Sequence, residues 1–321
     1  MSFRVEPLGE NGYNLGEGPH WDSERKKLYF VDAFVGDVLA MDVSTGRTDK
    51  TSFKDLVTIV IPFEENNDIL LVSLRNKVLK WDTKANTREV IARIAPELEG
   101  KERFNDGKVI APELEGKERF NDGKVDALGR LWIGSVLDGP NGAVPQKGSL
   151  YKLFANNFVK MSDNITLSNG MTWNLYNTKM YFNDSGDQKI YVFDFDLQNG
   201  LLHNKKVFVD FKCNPDFKSD EYPDGMTTDK SGRLWVSLYG GGRVVQINEE
   251  SGSVENYVSI PALLTTSIAF GGQELDQMFV TTGDDKQDLN EYPNAGKIFR
   301  VTSSDHTFRG NKIETNFRPN V

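Results

Sequence analysis

Glu17, Asn121, Asn169 and Asp224 carry the side-chain oxygens best placed for chemistry, because they recur in step. Glu17 lies 11 residues before Leu28, Asn121 lies 10 before Leu131, Asn169 lies 11 before Met180 and Asp224 lies 10 before Leu234. Each neighbours a glycine, in Gly16-Glu17-Gly18-Pro19, Asn121-Asp122-Gly123, Ser168-Asn169-Gly170 and Pro223-Asp224-Gly225. At the two remaining equivalent points, Thr58 and Ser267 carry hydroxyls. Such glycine-bearing tetrads are common turn sequences with no function; the in-phase recurrence is what sets these four apart. Two carboxylates and two amides meeting at one point suit a hard divalent cation such as Ca²⁺, which takes oxygen ligands at roughly 2.3–2.6 Å. Four protein donors leave places open for water or substrate, as a catalytic ion requires. Zn²⁺, Mn²⁺ and Mg²⁺ accept the same donors.

The elements that must position these residues are short strands. Leu28-Tyr-Phe-Val-Asp, Ile69-Leu-Leu-Val-Ser, Leu131-Trp-Ile-Gly-Ser, Met180-Tyr-Phe-Asn-Asp, Leu234-Trp-Val-Ser-Leu and Met278-Phe-Val-Thr-Thr are apolar, β-branched and aromatic runs. A second set follows in step, beginning at Val38, Val78, Leu150, Ile190, Val244 and Ile298. Asp-Val-Ser-Thr-Gly (42–46) and Asn-Glu-Glu-Ser-Gly (248–252) supply turn chemistry after such strands. The first residues of the leading runs are spaced 41, 62, 49, 54 and 44 apart. The long interval contains a perfect tandem duplication, IAPELEGKERFNDGKV at 94–109 and again at 110–125; without one 16-residue copy the interval is 46. Six units of roughly 40–55 residues match the period of a four-stranded propeller blade. The expected fold is therefore all-β, a single six-bladed β-propeller domain over 1–321. In a propeller, equivalent positions point toward one central axis, so the four oxygen-bearing residues are expected to converge. The first copy, or the 110–119 stretch, is expected to be extruded as a loop, which costs little closure entropy.

Composition narrows the function further. The chain has 321 residues, with 38 Lys and Arg against 47 Asp and Glu, a formal charge of −9. No basic cluster compensates, so nucleic acid is not an expected partner. One cysteine, Cys213, allows neither an internal disulfide nor a cysteine zinc cluster, and three histidines (His20, His203, His306) lack the spacing of a zinc triad. No run approaches the roughly 18 apolar residues of a membrane helix, and Met1 to Glu6 opens no signal-peptide pattern. The expectation is a cytoplasmic monomer acting on a small molecule.

Taken together, Gly16-Glu-Gly-Pro-His-Trp-Asp, Arg119-Phe-Asn-Asp-Gly-Lys-Val-Asp with Gly129-Arg-Leu-Trp, Ser168-Asn-Gly-Met-Thr-Trp, and Tyr222-Pro-Asp-Gly-Met with Gly232-Arg-Leu-Trp-Val resemble the senescence marker protein/regucalcin, gluconolactonase and luciferin-regenerating enzyme family. The resemblance runs in order over nearly the whole chain. It implies a six-bladed propeller, one divalent metal near the channel mouth and, in many members, hydrolysis of sugar lactones. By position it implies Glu17, Asn169 and Asp224 as metal ligands, Asn121 as an amide near metal and substrate, and Arg119 as a substrate-binding arginine. Asp224 is then the expected base for the attacking water. The duplication makes Arg103 and Asn105 formal alternatives to Arg119 and Asn121; spacing to the Leu131 strand favours the second copy. Two rival readings are an enzyme of the luciferin-regenerating type, acting on an aromatic heterocycle, and a non-enzymatic calcium-binding regulator.

The sequence departs from the family pattern at two places. No acid stands from Gly139 to Lys147, where a carboxylate is expected toward the end of a lid loop, and Thr172 stands where a carboxylate is frequent. Both are expected to make the pocket less polar. Other features read as structural: Asp184 and Asp187 as turn formers, His20 as a packed turn histidine, Cys213 as an exposed inert thiol, and Trp132, Trp173 and Trp235 as packing between blades.

Overall fold

The computed structural model describes residues 2–66, 68–94, 118–284, 287, 289–303, 308–311 and 316–319. The first copy of the duplication beyond Ile94, with Arg103 and Asn105, lies outside the described residues, as does the loop expected there. The chain is all-β; among the described residues the only helix is the one-turn 3-10 segment Phe211–Cys213.

Four antiparallel sheets are separate. They are Gly16–Asp22, Lys27–Asp32, Asp37–Asp42 and Thr48–Ser52; then Val60–Pro62, Ile69–Leu74, Lys77–Asp82 and Thr87–Arg93. Glu118–Val125, Leu131–Gly139, Gly148–Phe154 and Asn157–Ile165 form the third, with the short Gly142–Ala143 strand added at its side. Ser168–Trp173, Lys179–Asp184, Lys189–Asp196 and Leu201–Asp210 form the fourth. A larger sheet holds eight strands. Within it Tyr222–Thr228, Leu234–Tyr239, Arg243–Ile247 and Val254–Ser259 form one antiparallel run. Leu264–Gly271, Gln277–Gly283, Ile298–Ser303 and the N-terminal Phe3–Leu8 form another. A single residue pair, Tyr239 with Leu264, joins the two runs. The N-terminal strand thus pairs with a strand almost three hundred residues later, tying the two ends of the chain together.

The sheets are arranged as in a propeller, with first strands packed against first strands. Gly16–Asp22 lies against Val60–Pro62 and Leu264–Gly271, Ser168–Trp173 against Glu118–Val125 and Tyr222–Thr228, and Tyr222–Thr228 against Leu264–Gly271. The apolar core lies between neighbouring sheets. Trp132 and Trp173 come from adjacent sheets, are fully buried and meet edge to face at 6.5 Å. Trp235 packs with Phe270 and Phe308.

A repeated turn device explains the regular spacing. Asp22, Asp126, Asn174 and Asp229 each accept backbone N–H bonds through one side-chain oxygen, closing the turn into the second strand. This is the Asx turn, in which a short polar side chain replaces a backbone acceptor. Asp126 and Asp229 also accept the indole N–H of Trp132 at 2.9 Å and Trp235 at 3.0 Å. Each Asp-x-x-Gly-Arg-Leu-Trp segment is therefore one folding unit. Asp42, Asp82 and Asn248 do the same at the turn into the fourth strand.

Candidate active site

The candidate residues lie in β-bulges rather than turns, which corrects the reading of their glycine-bearing segments. Five of the six first strands slip register by one residue against the second strand. The two residues bulged against one are Gly18 and Pro19, Asn121 and Asp122, Asn169 and Gly170, Asp224 and Gly225, and Thr266 and Ser267. Glu17 directly precedes the first bulge, paired with Val31. A bulge kinks the strand and re-aims its side chains; four of the five carry a polar side chain, and the other is preceded by Glu17. Val60–Pro62 pairs without a shift and does not extend to Thr58, whose hydroxyl meets Ser73 Oγ at 2.9 Å.

The bulges leave backbone groups without ladder partners, and opposite three of them a polar residue supplies one, to its own strand or a neighbouring one. Asn183 Nδ2 donates to the Asp224 carbonyl at 2.6 Å. Ser237 Oγ donates to the carbonyls of Gly225 (2.9 Å) and Thr266. Thr281 Oγ1 accepts from the Ser267 amide at 3.0 Å. Glycine is required where inner strands approach. A Cβ on Gly170 would lie 2.5 Å from both the Asp224 carbonyl oxygen and the Met226 nitrogen, and one on Gly225 would lie 2.6 Å from the Ser267 Cα.

The arrangement brings Glu17, Asn169 and Asp224 into one electrostatic neighbourhood. Asp224 is 5% exposed. Its carboxyl is held well above the usual carboxylate range by burial, then by the charges of Glu17 and Asp122, against a lowering hydrogen bond from Asn169. Glu17, part-buried, is pushed up to about 8 by burial and by Asp122, against the backbone N–H of Gly18. Asp224 Oδ1 is buried and takes no hydrogen bond. Asn169 is 6% exposed, and its Nδ2 donates to Ser185 Oγ at 2.9 Å, so its carbonyl oxygen is the group left for a ligand. Ser185 Oγ in turn donates to the Pro223 carbonyl, tying Asn169 to the strand of Asp224.

Asp122 was not among the expected residues. The signal was present in Asn121-Asp122-Gly123, but counting one residue per turn hides a second polar residue that a bulge exposes beside the first. Its Oδ1 accepts from the Gly123 amide at 2.7 Å.

Asn121 and Arg119 lie one step outward. Asn121 Nδ2 donates to the Ser168 carbonyl at 2.8 Å, beside Asn169. Asn121 Oδ1 accepts from Arg119 Nη1 at 2.8 Å, and Arg119 Nε pairs with Asp138 Oδ2 at 2.8 Å. Arg119 is therefore a fixed fork with a 13% exposed side chain. Thr172 does not reach this group. It is buried and bonded to the Thr228 hydroxyl at 2.9 Å, which donates to the Trp173 carbonyl. Asp184, at the end of the strand Lys179–Asp184, accepts backbone N–H bonds from Thr166 and Leu167, both at 2.9 Å, so it chiefly anchors a distant segment rather than forming a local turn. His20 is packed, with Nε2 3.0 Å from Asn316 Oδ1.

A small cavity of about 30 Å³ is lined by residues of several first strands, among them Gly18, His20, Asp122, Lys124, Met226 and Ser267. That is room for a water or two, not a passage. Lys124 crosses it to donate to the Met226 carbonyl at 2.9 Å.

The donor set fits a hard cation. Two carboxylates that resist ionisation together, an unpartnered buried oxygen on Asp224 and a free amide oxygen on Asn169 are what a divalent ion would neutralise and ligate. Among the described residues no group of three or more His, Cys, Asp and Glu side chains is arranged to hold a metal, so an ion here depends on the amide oxygen.

The model of the SMP-30/gluconolactonase/LRE-like region matches residues 15–112 and 110–284. The chain belongs to that family. The two matched stretches meet inside the duplication, as expected if one copy interrupts a family member. Regucalcin of Gallus gallus is 32% identical over 307 residues, 94% of this chain and 95% of that protein. A putative sugar lactone lactonase of Bacillus subtilis is 31% identical over 290 residues, 89% of this chain and 90% of that protein. Among solved structures, a luciferin-regenerating enzyme superposes with TM-score 0.85 at 28% identity, covering 99% of this chain and 100% of that one.

Proposed function

We propose that the protein is a divalent-cation-dependent lactonase, a carboxylic ester hydrolase built as one six-bladed propeller domain. The two four-stranded runs of the large sheet would be separate blades, touching at one residue pair. Kinship with proteins named as lactonases supports the reaction class. The observation that carries the site is the unpartnered, buried Asp224 Oδ1 beside Glu17.

Glu17, Asn169 and Asp224 would hold the ion, with Ca²⁺ the first choice for an all-oxygen set. When bound, the ion would supply a Lewis acid for the lactone carbonyl oxygen. Asp224 would take a proton from the attacking water. The water oxygen bonds to the carbonyl carbon, the ring C–O bond breaks, and the departing alkoxide is protonated, giving a hydroxy acid. Arg119, fixed by Asp138 and Asn121, would orient substrate oxygens, and Asn121 would contact substrate beside the ion. A small-molecule substrate, a monomer and a cytoplasmic setting complete the proposal; no helix of the described residues is long and apolar enough to cross a membrane.

The test is lactone hydrolysis followed by pH-stat, with and without chelator, on the full chain and on Asp224→Ala. Turnover that is lost with chelator, restored by Ca²⁺ and absent in the variant is expected. Turnover unaffected by either change would remove Asp224 and the ion from the mechanism.

A further inference from the structure

A cavity of about 370 Å³ opens beside Arg119, lined by Phe34, Val35, Leu56, Arg75, Arg119 and Asp138 among others. Its walls differ in character. Arg119 and Asp138 are paired to each other at 2.8 Å and Arg75 to Asp55 at 2.6 Å, so four of the five charged residues lining the cavity are paired within it, Lys54 being the fifth. The opposite wall is apolar and bare: Phe34 is 58% exposed and Val35 49%. Among the described residues they are the only two large exposed apolar residues adjacent in sequence. Scattered single apolar residues on a surface need no explanation, whereas a pair facing a cavity does.

The pair is also held rigidly. The Gly36 amide bonds to the Asp32 carbonyl at 2.9 Å, and the Gly36 carbonyl accepts from Phe53 at 2.7 Å. Gly36 has φ +78°, and a Cβ there would lie 2.2 Å from the Asp55 carbonyl oxygen. A turn pinned in this way presents Phe34 and Val35 at a fixed place without ordering cost on binding. The cavity shares Arg119 with the proposed site: Arg119 lines it and also donates to Asn121 at 2.8 Å.

We infer that this cavity is the specificity subsite of the enzyme, and that it selects a lactone carrying an aliphatic or aromatic substituent over a polyhydroxylated one. The inference rests on the lactonase reading: the ring ester lies toward Asn121 and Asp224, and the apolar group lies on Phe34 and Val35. A sugar lactone would place hydroxyls against that wall without hydrogen-bond partners, which is how a site rejects a substrate. Beyond Asp138, which is paired to Arg119, the hairpin Asp138↔Ala143, Gly139↔Gly142 brings no further acid.

The test compares kcat/KM for δ-decalactone and glucono-δ-lactone on the Ca²⁺-loaded full chain, on Phe34→Ser and on the distant exposed control Val90→Ser. Wild type should prefer the alkyl lactone. Phe34→Ser should lower the alkyl-to-polyhydroxylated ratio by roughly tenfold, and Val90→Ser should leave it unchanged. A wild-type preference for the polyhydroxylated lactone, or an unchanged ratio in Phe34→Ser, would overturn the inference while leaving the lactonase reading intact. Calorimetric binding of the δ-lactam of the same alkyl ring separates the two claims. Binding weakened roughly tenfold by Phe34→Ser, with neither lactone turned over, would keep the apolar subsite and sink the lactonase. Absent or Phe34-independent lactam binding would sink the subsite.

Discussion

Replacing Glu17 with glutamine should stabilise the chelated protein and destabilise the calcium-loaded one. With no ion, Glu17 is raised from 4.5 to about 8 by burial and by Asp122. A carboxyl whose folded pKa is raised binds its proton more tightly when folded. Folding stability is then greatest below about pH 4.5 and falls as the pH rises toward 8. At pH 7 the deficit from this group is about 3 kcal/mol, at roughly 1.4 kcal/mol per unit. That is an upper bound, because Glu17 retains some contact with water. In Glu17→Gln the amide would keep an oxygen for the Gly18 N–H, now accepted at 3.1 Å by Glu17 Oε2, and would carry no charge. Thermal unfolding by circular dichroism in chelator should show the variant melting a few degrees higher, about 5 °C at most for a chain of this size. The difference should vanish near pH 4. With excess Ca²⁺ the order should reverse, because the wild type gains ion-binding energy and the variant loses a ligand. A variant less stable than wild type in chelator, or one with an undiminished calcium shift, would refute the electrostatic reasoning.

Arg119→Lys keeps the charge but loses the fork held by Asp138 and Asn121, so KM should rise roughly tenfold in steady-state assays while kcat changes less. Gly170→Ala places a methyl group 2.5 Å from the Asp224 carbonyl oxygen, and should cost at least about 2 kcal/mol in denaturant unfolding and weaken Ca²⁺ binding. Asp126→Ala leaves buried Arg130 without its ion-pair partner, holding only the Leu197 and Gln198 carbonyls, and the Trp132 indole N–H without its acceptor, and should destabilise the fold by about 3–5 kcal/mol with no change in ion stoichiometry. Deleting 94–109 should leave melting temperature and lactone turnover close to those of the full chain.

The repeat was legible because each four-stranded run has an apolar second strand, and four of the six enter it through a turn-forming Asp or Asn. Counting back from Leu28, Leu131, Met180 and Leu234 was sufficient to bring Glu17, Asn169 and Asp224 together, since sheets around one axis turn equal register into convergence. The bulges were not legible. A strand's period of two carries no mark where one residue is inserted, and Asn-Asp-Gly reads equally well as a turn. Asp122 was missed for that reason. The expectation for Thr172 failed differently: alignment of motif positions gave the residue, but its neighbour across the sheet boundary, Thr228, decides where its hydroxyl goes. Phe34 and Val35 carried no sequence signal, because their exposure depends on how the 53–57 segment pins their turn.

Calorimetric titration of Ca²⁺ into the chelator-stripped full chain and into Asp224→Asn tests the centre of the account. One site per chain in the wild type, lost in the variant, is the expected result. Equal stoichiometry and affinity in both proteins would mean that Glu17, Asn169 and Asp224 do not hold an ion together.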